Sequence, residues 1–131
     1  MKIDGQVLDL FVDLEKEPYN WQKDIIINKS KLLEKIEEVN QTDNFNLLKR
    51  GISFIKSVIN FPRSDKEGLV NIDQNGDTMV LKKEPLLEEL NQIDESQTIE
   101  RAKYYLERLK KGISVIKTSR INDINLNRWK Q

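Results

Sequence analysis

Apolar residues recur at helical spacing in two long stretches of the chain. In the second stretch the intervals are 3, 4, 3, 4 and 3 residues, over Ile99, Ala102, Leu106, Leu109, Ile113 and Ile116. In the first stretch the intervals are 3, 4, 3 and 4 residues, over Phe45, Leu48, Ile52, Ile55 and Ile59. Residues so spaced share one side of an α-helix, so the sequence predicts two long amphipathic helices. Both stripes are short for an autonomous coiled coil, which favours packing inside a helical bundle.

The chain also contains two pairs of similar segments. Residues 24–36 align with residues 78–90 at an offset of 54, and each begins with a short apolar run. Downstream, residues 49–56 align with residues 110–117 at an offset of 61. The alignment predicts two units, each a strand, a short helix and a longer helix, with the seven-residue difference between the two helices. Two copies are too few for a solenoid, which favours a pseudo-twofold pair in one core. Chance similarity among Lys/Glu/Leu-rich helices is the alternative.

A β-hairpin is predicted between the two units. Strand-like runs at 69–73 and 78–82 flank Asn75-Gly76. Asn-Gly between such runs is a strong hairpin signal, because both residues tolerate positive φ.

Residues 1–16 fit two structures. A helix would place Val7, Leu10, Phe11 and Leu14 on one side, and a strand would do the same for Leu8, Leu10, Val12 and Leu14. We favour the helix, ending before Pro18.

These elements predict one domain over residues 1–131 with an α+β, mostly helical fold. Two helical hairpins, at about 30–60 and 84–118, would pack together with the β-hairpin. The repeat units would cover about 24–60 and 78–118, and a polar tail would follow from about residue 121. Candidate N-caps of the long helices are Asp43, Ser96 and Thr98.

The net charge of zero conceals a segregation of charge along the chain. There are 22 acidic and 22 basic residues in total. Residues 65–100 carry a net charge of −7, and residues 101–131 carry +7. Such blocks either neutralise each other within the fold or a dimer, or attract a charged partner.

The composition excludes several kinds of chemistry. There is no cysteine and no histidine, so disulfides, thiolate nucleophiles and the side chain best suited to proton transfer near neutral pH are absent. The five glycines are scattered, so no phosphate-binding loop is present. We therefore expect a protein that is not an enzyme, with no catalytic residues, no metal site and no cofactor.

One segment is compatible with calcium binding. Residues 73–84 resemble an EF-hand loop, with oxygen ligands at loop positions one, three and five and Glu84 at position twelve. Position six is Thr78 where the loop needs glycine, and Pro62 and Gly68 interrupt any entering helix. The hairpin interpretation of these residues is favoured.

Gly51 and Gly112 each precede Ile-Ser and permit two interpretations. A glycine turn between short helices is typical of a helix-turn-helix, with nearby basic residues contacting DNA. However, both glycines lie inside unbroken apolar periodicity, where a turn would reset the phase. A helix-interior glycine that lets two helices approach closely is favoured.

The C-terminal segment holds the candidate binding residues. Lys103, Lys110 and Lys117 are seven residues apart and share one helical stripe, and Tyr104, Tyr105 and Trp129 lie among the basic residues. The predicted partner-binding residues are Lys103, Lys110, Lys117, Arg120, Arg128 and Trp129. A solvated helix face is the simpler explanation of such charges.

The leading function hypothesis is a small protein-binding module of the inhibitor, immunity or adaptor type, acting through its acidic and basic surfaces. The alternative is nucleic-acid binding through the basic C-terminal helix and tail, although the pI of 6.4 is low for that class. A homodimer is compatible with the sequence. No apolar run approaches about 18 residues, and residues 1–5 lack a signal peptide's apolar core, so we expect a cytoplasmic protein without a membrane partner.

Overall fold

Two strands and four helices follow one another in the order β-α-α-β-α-α. They are β1 (Asp24–Asn28), α1 (Lys29–Asn40), α2 (Phe45–Asn60), β2 (Thr78–Lys82), α3 (Lys83–Asp94) and α4 (Ile99–Ser114). The computed structural model describes residues 10–13, 16–20, 22–61, 69–70, 78–116 and 118. The fold is α+β and mostly helical, as the sequence predicts, with a two-stranded antiparallel sheet.

The two strands come from distant parts of the chain. The paired residues are Asp24–Lys82, Ile25–Leu81, Ile26–Val80, Ile27–Met79 and Asn28–Thr78. The strand predicted at 78–82 is confirmed, but its partner is β1 instead of residues 69–73. Of that predicted partner, residues 69–70 form a turn and the remainder lies outside the described residues.

The N-terminal segment occupies the other edge of β2. Phe11 bridges Leu81 in antiparallel orientation, and the Lys82 N–H donates to the Leu10 carbonyl at 2.8 Å. The helix interpretation is therefore wrong for residues 10–13, because β2 offers this segment a row of backbone partners that an isolated helix could not match. Both edges of β2 are therefore used, one by β1 and the other by residues 10–12.

Side-chain caps begin three of the four helices. Asn28, Asn44 and Thr98 accept hydrogen bonds from the first turns of α1, α2 and α4. Thr98 confirms one predicted cap, whereas Asn44 replaces Asp43, its neighbour. Helix α3 begins at Lys83, and its N-cap residue Lys82 makes no side-chain cap. Pro85 lies in the first turn of α3, where no intrahelical N–H is needed.

The helices form a closed ring. Helix α1 packs against α2 and α4, and α3 packs against the same two helices. Four-residue connections link the two helices of each predicted helical hairpin, at 41–44 in the first and at 95–98 in the second. One face of the sheet supplies Ile25, Ile27, Met79 and Leu81 to the main core, and Val12, Ile26 and Val80 form a smaller cluster.

The two β-α-α series match element by element at an offset of 54. The strands have 5 residues each, the first helices 12 and the second helices 16. The buried residues are Leu32, Ile36, Val39, Leu48, Ile52, Ile55, Val58 and Ile59 in α1 and α2, and their counterparts are Leu86, Leu90, Ile93, Ala102, Leu106, Leu109, Gly112 and Ile113. The alignment at offset 61 is therefore wrong, because no seven-residue difference separates the helices. The internal repeat, as a pseudo-twofold pair of units, stays a prediction.

Both glycines singled out in the sequence lie inside helices. Helix α2 continues through Gly51 and α4 through Gly112, which is buried. The helix-turn-helix interpretation is therefore wrong. A β-carbon at residue 51 would overlap Val39 of α1, which confirms a close helix approach there.

Candidate functional site

Two lysines of the predicted stripe, Lys103 and Lys110, contact α1 and the connection that follows it. The Lys103 Nζ lies 3.4 Å from Asp43 Oδ1, and Lys110 forms an ion pair with Glu37. Lys103 and Lys110 therefore contact acidic residues of the first half of the chain, outside the acidic block of residues 65–100. The other predicted partner-binding residues, Lys117, Arg120, Arg128 and Trp129, lie outside the described residues.

The Lys110–Glu37 pair alters both ionisations. The hydrogen bond and the positive charge of Lys110 lower the pKa of Glu37, and the hydrogen bond to Glu37 raises the pKa of Lys110. Each group favours the charged form of the other, so the pair is an electrostatic contact between α1 and α4.

The stripe has a counterpart in the first half of the chain. Lys49 and Lys56 precede Lys103 and Lys110 by 54 residues. The Lys56 Nζ lies 3.3 Å from Asp94 Oδ2 of α3, just as Lys110 reaches α1. The equivalent residues Lys56 and Lys110 thus both join neighbouring helices, so at least this position of the stripe is used within the fold.

The acidic and basic blocks meet at Arg108. Its Nη2 donates to Glu89 Oε1 at 2.8 Å and to Gln92 Oε1 at 2.9 Å, which joins α4 to α3. The Arg108 and Glu89 side chains are only 12% and 11% exposed. The guanidinium also lies 5.1 Å from the centre of the Tyr105 ring. This enclosed pair is a structural contact, so part of the charge segregation is neutralised within the fold.

The outward side of α4 combines basic and apolar residues. We define the α4 outer face as Arg101, Tyr104, Lys111 and Val115, with Arg108 at its border with α3. Tyr104 is 55% exposed and Val115 is 65% exposed. Tyr105 lies beneath this face, half-buried against the core, with its ring centre 5.5 Å from that of Tyr104 and 5.7 Å from the Arg101 guanidinium.

The sequence contained the signal for this surface. Residues 101, 104, 108, 111 and 115 repeat the 3, 4, 3, 4 spacing on the side of the helix opposite the apolar stripe. The seven-residue lysine spacing predicts a different surface, and its described members Lys103 and Lys110 contact acidic residues of this chain.

The equivalent side of α2 has different chemistry. Its residues are Leu47, Arg50, Ser57 and Phe61, again at an offset of 54. Leu47 is 50% exposed and Phe61 is 68% exposed. The counterparts of Tyr104 and Lys111 are thus Arg50 and Ser57. Of these two helix surfaces, only that of α4 has an exposed tyrosine.

A cleft of about 760 Å³ opens where the end of α2 meets the start of α3. Ile59, Pro85 and Leu87 provide its apolar lining. Its polar lining comprises Glu17, Gln22, Lys23, Asp24, Asn60, Lys82, Lys83, Glu84, Glu88 and Asn91. The lining has both signs of charge and does not define a catalytic arrangement.

Asp24 is the buried carboxylate at the edge of this cleft. Its side chain accepts a hydrogen bond from the Asn20 N–H at 3.0 Å, and the residue is 4% exposed. Burial raises the pKa of Asp24, against the lowering effect of that hydrogen bond and of Lys82 and Lys23. The neutral carboxyl is thus favoured relative to an aspartate in water.

The described residues contain no group of three or more acidic, histidine or cysteine side chains positioned to hold a metal ion. In the calcium candidate, residues 78–82 form strand β2 and Glu84 lies in α3, whereas residues 73–77 are outside the described ranges. Among the helices described, none is long and apolar enough to cross a membrane.

Comparison with known protein families, with curated proteins and with solved structures finds no match to this chain.

Proposed function

We propose that the chain is a small non-enzymatic protein-binding module of the inhibitor, immunity or adaptor type, and that a partner protein binds the α4 outer face. The observation that carries the proposal is Tyr104, a large aromatic side chain that is 55% exposed on a basic helix face. Tyrosine and arginine are enriched among the residues that contribute most to binding energy at protein interfaces. Beneath this surface the guanidinium groups of Arg101 and Arg108 lie 5.7 Å and 5.1 Å from the centre of the Tyr105 ring.

The charge of the surface indicates the kind of partner. Arg101 and Lys111 lie on either side of Tyr104, about one and two helical turns away. An acidic partner surface would be attracted to these residues and would associate faster at low salt. Lys117, Arg120, Arg128 and Trp129 follow α4 in the sequence and remain predicted contributors to the same interface.

Nucleic-acid binding is the alternative, and the contacts of α4 make it the weaker one. Affinity for a phosphate backbone grows with the number of phosphates that Lys and Arg neutralise. Three basic residues of α4, Lys103, Arg108 and Lys110, are already in ion pairs with carboxylates of this chain. An exposed aromatic side chain flanked by few uncommitted cations suits a protein surface better than a nucleic-acid backbone.

The test compares two double variants with the same change in charge. Tyr104→Ala with Lys111→Glu alters the α4 outer face, and Arg50→Ala with Ser57→Glu alters the equivalent exposed positions of α2. Affinity capture from a lysate of the source organism, read by mass spectrometry, should recover a partner with the wild type and with the α2 variant. The α4 variant should lose it, and higher salt should weaken capture by the wild type.

Two results would contradict the proposal. Equal capture by both variants would remove the α4 outer face from the interface. A salt-sensitive mobility shift of DNA or RNA at micromolar protein, abolished by the α4 variant alone, would instead support the nucleic-acid alternative.

A further inference from the structure

The outward side of α3 is acidic. Glu84, Glu88 and Glu95 lie on the side of the helix opposite its buried residues, and all three are exposed. We call these three residues the α3 outer face. Within the described part of the chain, none of the three carboxylates is in an ion pair. Three negative charges thus lie together on this side of α3.

The α3 outer face lies beside the basic α4 outer face. Helices α3 and α4 are antiparallel neighbours, and the hydrogen bonds from Arg108 to Glu89 and Gln92 show which of their residues lie at the same height along the two helices. Three residues further along α4 correspond to about three residues earlier in α3. Lys111 therefore lies at the height of Glu88.

The same correspondence applies at the other end of the two helices. Tyr104 lies at the height of Glu95, and Arg101 lies within one further turn of it. Arg101 and Lys111 therefore each have a glutamate close to their own height on the neighbouring helix. An acidic stripe and a basic stripe run side by side on one surface of the protein.

The equivalent surface of the first half lacks this pairing of charges. At the offset of 54, the counterparts of the α3 outer face are Ser30, Glu34 and Gln41, so α1 has one acidic residue where α3 has three. The positions of the two exposed α4 cations are occupied in α2 by Leu47 and Ser57. Because both halves form the same helices, the fold itself does not require the acidic and basic stripes.

A surface with an acidic helix beside a basic helix is complementary to itself. In a twofold dimer each copy uses the same surface to contact the other. A twofold axis that lies in the interface and runs parallel to the helices places α3 of one copy on α4 of the other and keeps every residue at its own height. An axis in the interface but perpendicular to the helices would place α3 on α3 and oppose like charges. Charge complementarity therefore favours the parallel axis.

We propose that the α3 and α4 outer faces bind the same two faces of a second copy of this chain. The proposal names the partner of the α4 outer face and so rests on the function proposed above. Glu88 would lie opposite Lys111 of the second copy, and Glu95 would lie opposite Arg101 of the second copy. Each of these contacts would occur twice in the dimer.

The size of this surface indicates a weak dimer. The 16 residues of α4 span about 24 Å, and two adjacent helices are about 20 Å wide. Such a face buries about 1,000 Å² in total, which is the range of transient association. Arg108 would lie near the twofold axis, where its charge is offset by Glu89. We therefore expect a salt-sensitive dimer with a micromolar Kd.

The experiment measures the mass of the full chain by sedimentation equilibrium, at micromolar to submillimolar concentrations and at two salt concentrations. The wild type should form dimers at low salt and dissociate at high salt. Glu88→Lys and Lys111→Glu each replace two attractions by two repulsions, so each variant should dimerise at least about tenfold more weakly.

A mixture of the two variants gives the sharpest result. When Glu88→Lys and Lys111→Glu chains are mixed in equal amounts, each of the two contacts again joins opposite charges. The mixture should therefore form heterodimers at concentrations at which each variant alone is a monomer.

Matched controls separate this surface from a general effect of charge. Glu34→Lys and Arg50→Glu make charge changes of the same size at exposed positions of α1 and α2. Both control variants should dimerise as the wild type does. Circular dichroism and the melting temperature of each variant in dilute solution check that it is folded.

Three results would overturn the proposal: a wild type that stays monomeric at low salt and submillimolar concentration, a dimer that neither Glu88→Lys nor Lys111→Glu weakens, or a mixture of these variants that stays monomeric. Capture of a different protein from the lysate, lost with the α4 double variant, would still support the function proposed above. Failure of this capture in addition to any of the three results would overturn both proposals.

Discussion

Gly51 of α2 lies so close to Val39 of α1 that a β-carbon at residue 51 would overlap the Val39 Cγ2 methyl group. The two residues belong to antiparallel neighbours joined by a four-residue connection. The absence of a side chain at residue 51 therefore sets how closely the first helical hairpin can pack.

Replacement of Gly51 by alanine should destabilise the protein by up to about 2 kcal/mol. Alanine favours the helix by about 1 kcal/mol, but the overlap with Val39 costs about 1–3 kcal/mol and dominates if the helices cannot separate. Urea denaturation of Gly51→Ala, Val39→Ala and the double variant would measure the coupling. A rise in stability for Gly51→Ala would contradict the close packing, and so would additive effects in the double variant.

Removal of one partner of the Arg108–Glu89 pair should have a large effect. Both side chains are nearly enclosed, so Glu89→Ala leaves a guanidinium without its carboxylate and should cost about 2–3 kcal/mol. Asp43→Ala breaks the exposed contact with Lys103 and should cost at most about 0.5 kcal/mol. Thermal denaturation of both variants measures this difference. Similar losses of stability would show that enclosure does not determine how much each ion pair contributes.

Reversal of the lysine stripe should lower the melting temperature. Changing Lys103, Lys110 and Lys117 together to Glu replaces attraction to Glu37 and Asp43 by repulsion. Salt should partly restore the stability, because exposed charges are screened. The control, Arg101→Glu with Lys111→Glu on the α4 outer face, should keep its melting temperature. An unchanged melting temperature for the triple variant would indicate that the stripe is a solvated surface or a partner-binding surface and not a contact within the fold.

Asp24 should make stability fall as the pH rises. Its pKa is raised in the folded protein, so the folded state binds the proton more tightly than the unfolded state. The stabilisation is full below the ordinary aspartate pKa and is lost as the pH passes through the raised value. Asp24→Asn should lack this loss and should be more stable than the wild type near neutral pH.

The difference in stability between Asp24→Asn and the wild type should therefore widen between about pH 3 and pH 7. Urea denaturation at several pH values would measure it. If the attraction of Lys82 and Lys23 outweighs burial, the difference will have the opposite sign and Asp24 will be a stabilising anion.

The long helices were predictable because their burial follows from periodicity alone. Leu48, Ile52, Leu106 and Leu109 lie where the spacing placed them, and all four are fully buried. The partner of β2 was not predictable in this way. Asn75-Gly76 indicated a local turn, but pairing between Ile26 and Val80 depends on how the helices pack, which no short sequence signal records.

Periodicity also shows which residues share the α4 outer face. It does not show which side of the helix is exposed and which side contacts a neighbouring helix. The interval from Lys103 to Lys110 is two helical turns, which shows a common side of the helix but not what that side contacts. Only the packing of α1 against α4 reveals that Glu37 lies opposite Lys110.

The segments that precede β1 and β2 each bond to the strand of the other half, and this arrangement affects the order of folding. The Leu10 carbonyl accepts a hydrogen bond from the Lys82 N–H of the second half at 2.8 Å. The Leu69 carbonyl accepts one from the Asn28 N–H of the first half at 2.7 Å. Each half therefore completes the sheet edge of the other, and neither strand gains a full set of partners from its own half. Closing such distant contacts carries a loop entropy that local helix formation does not. The helical hairpins should consequently form early and the sheet should form late. Because the sheet joins the two halves, its formation should make them fold as one cooperative unit.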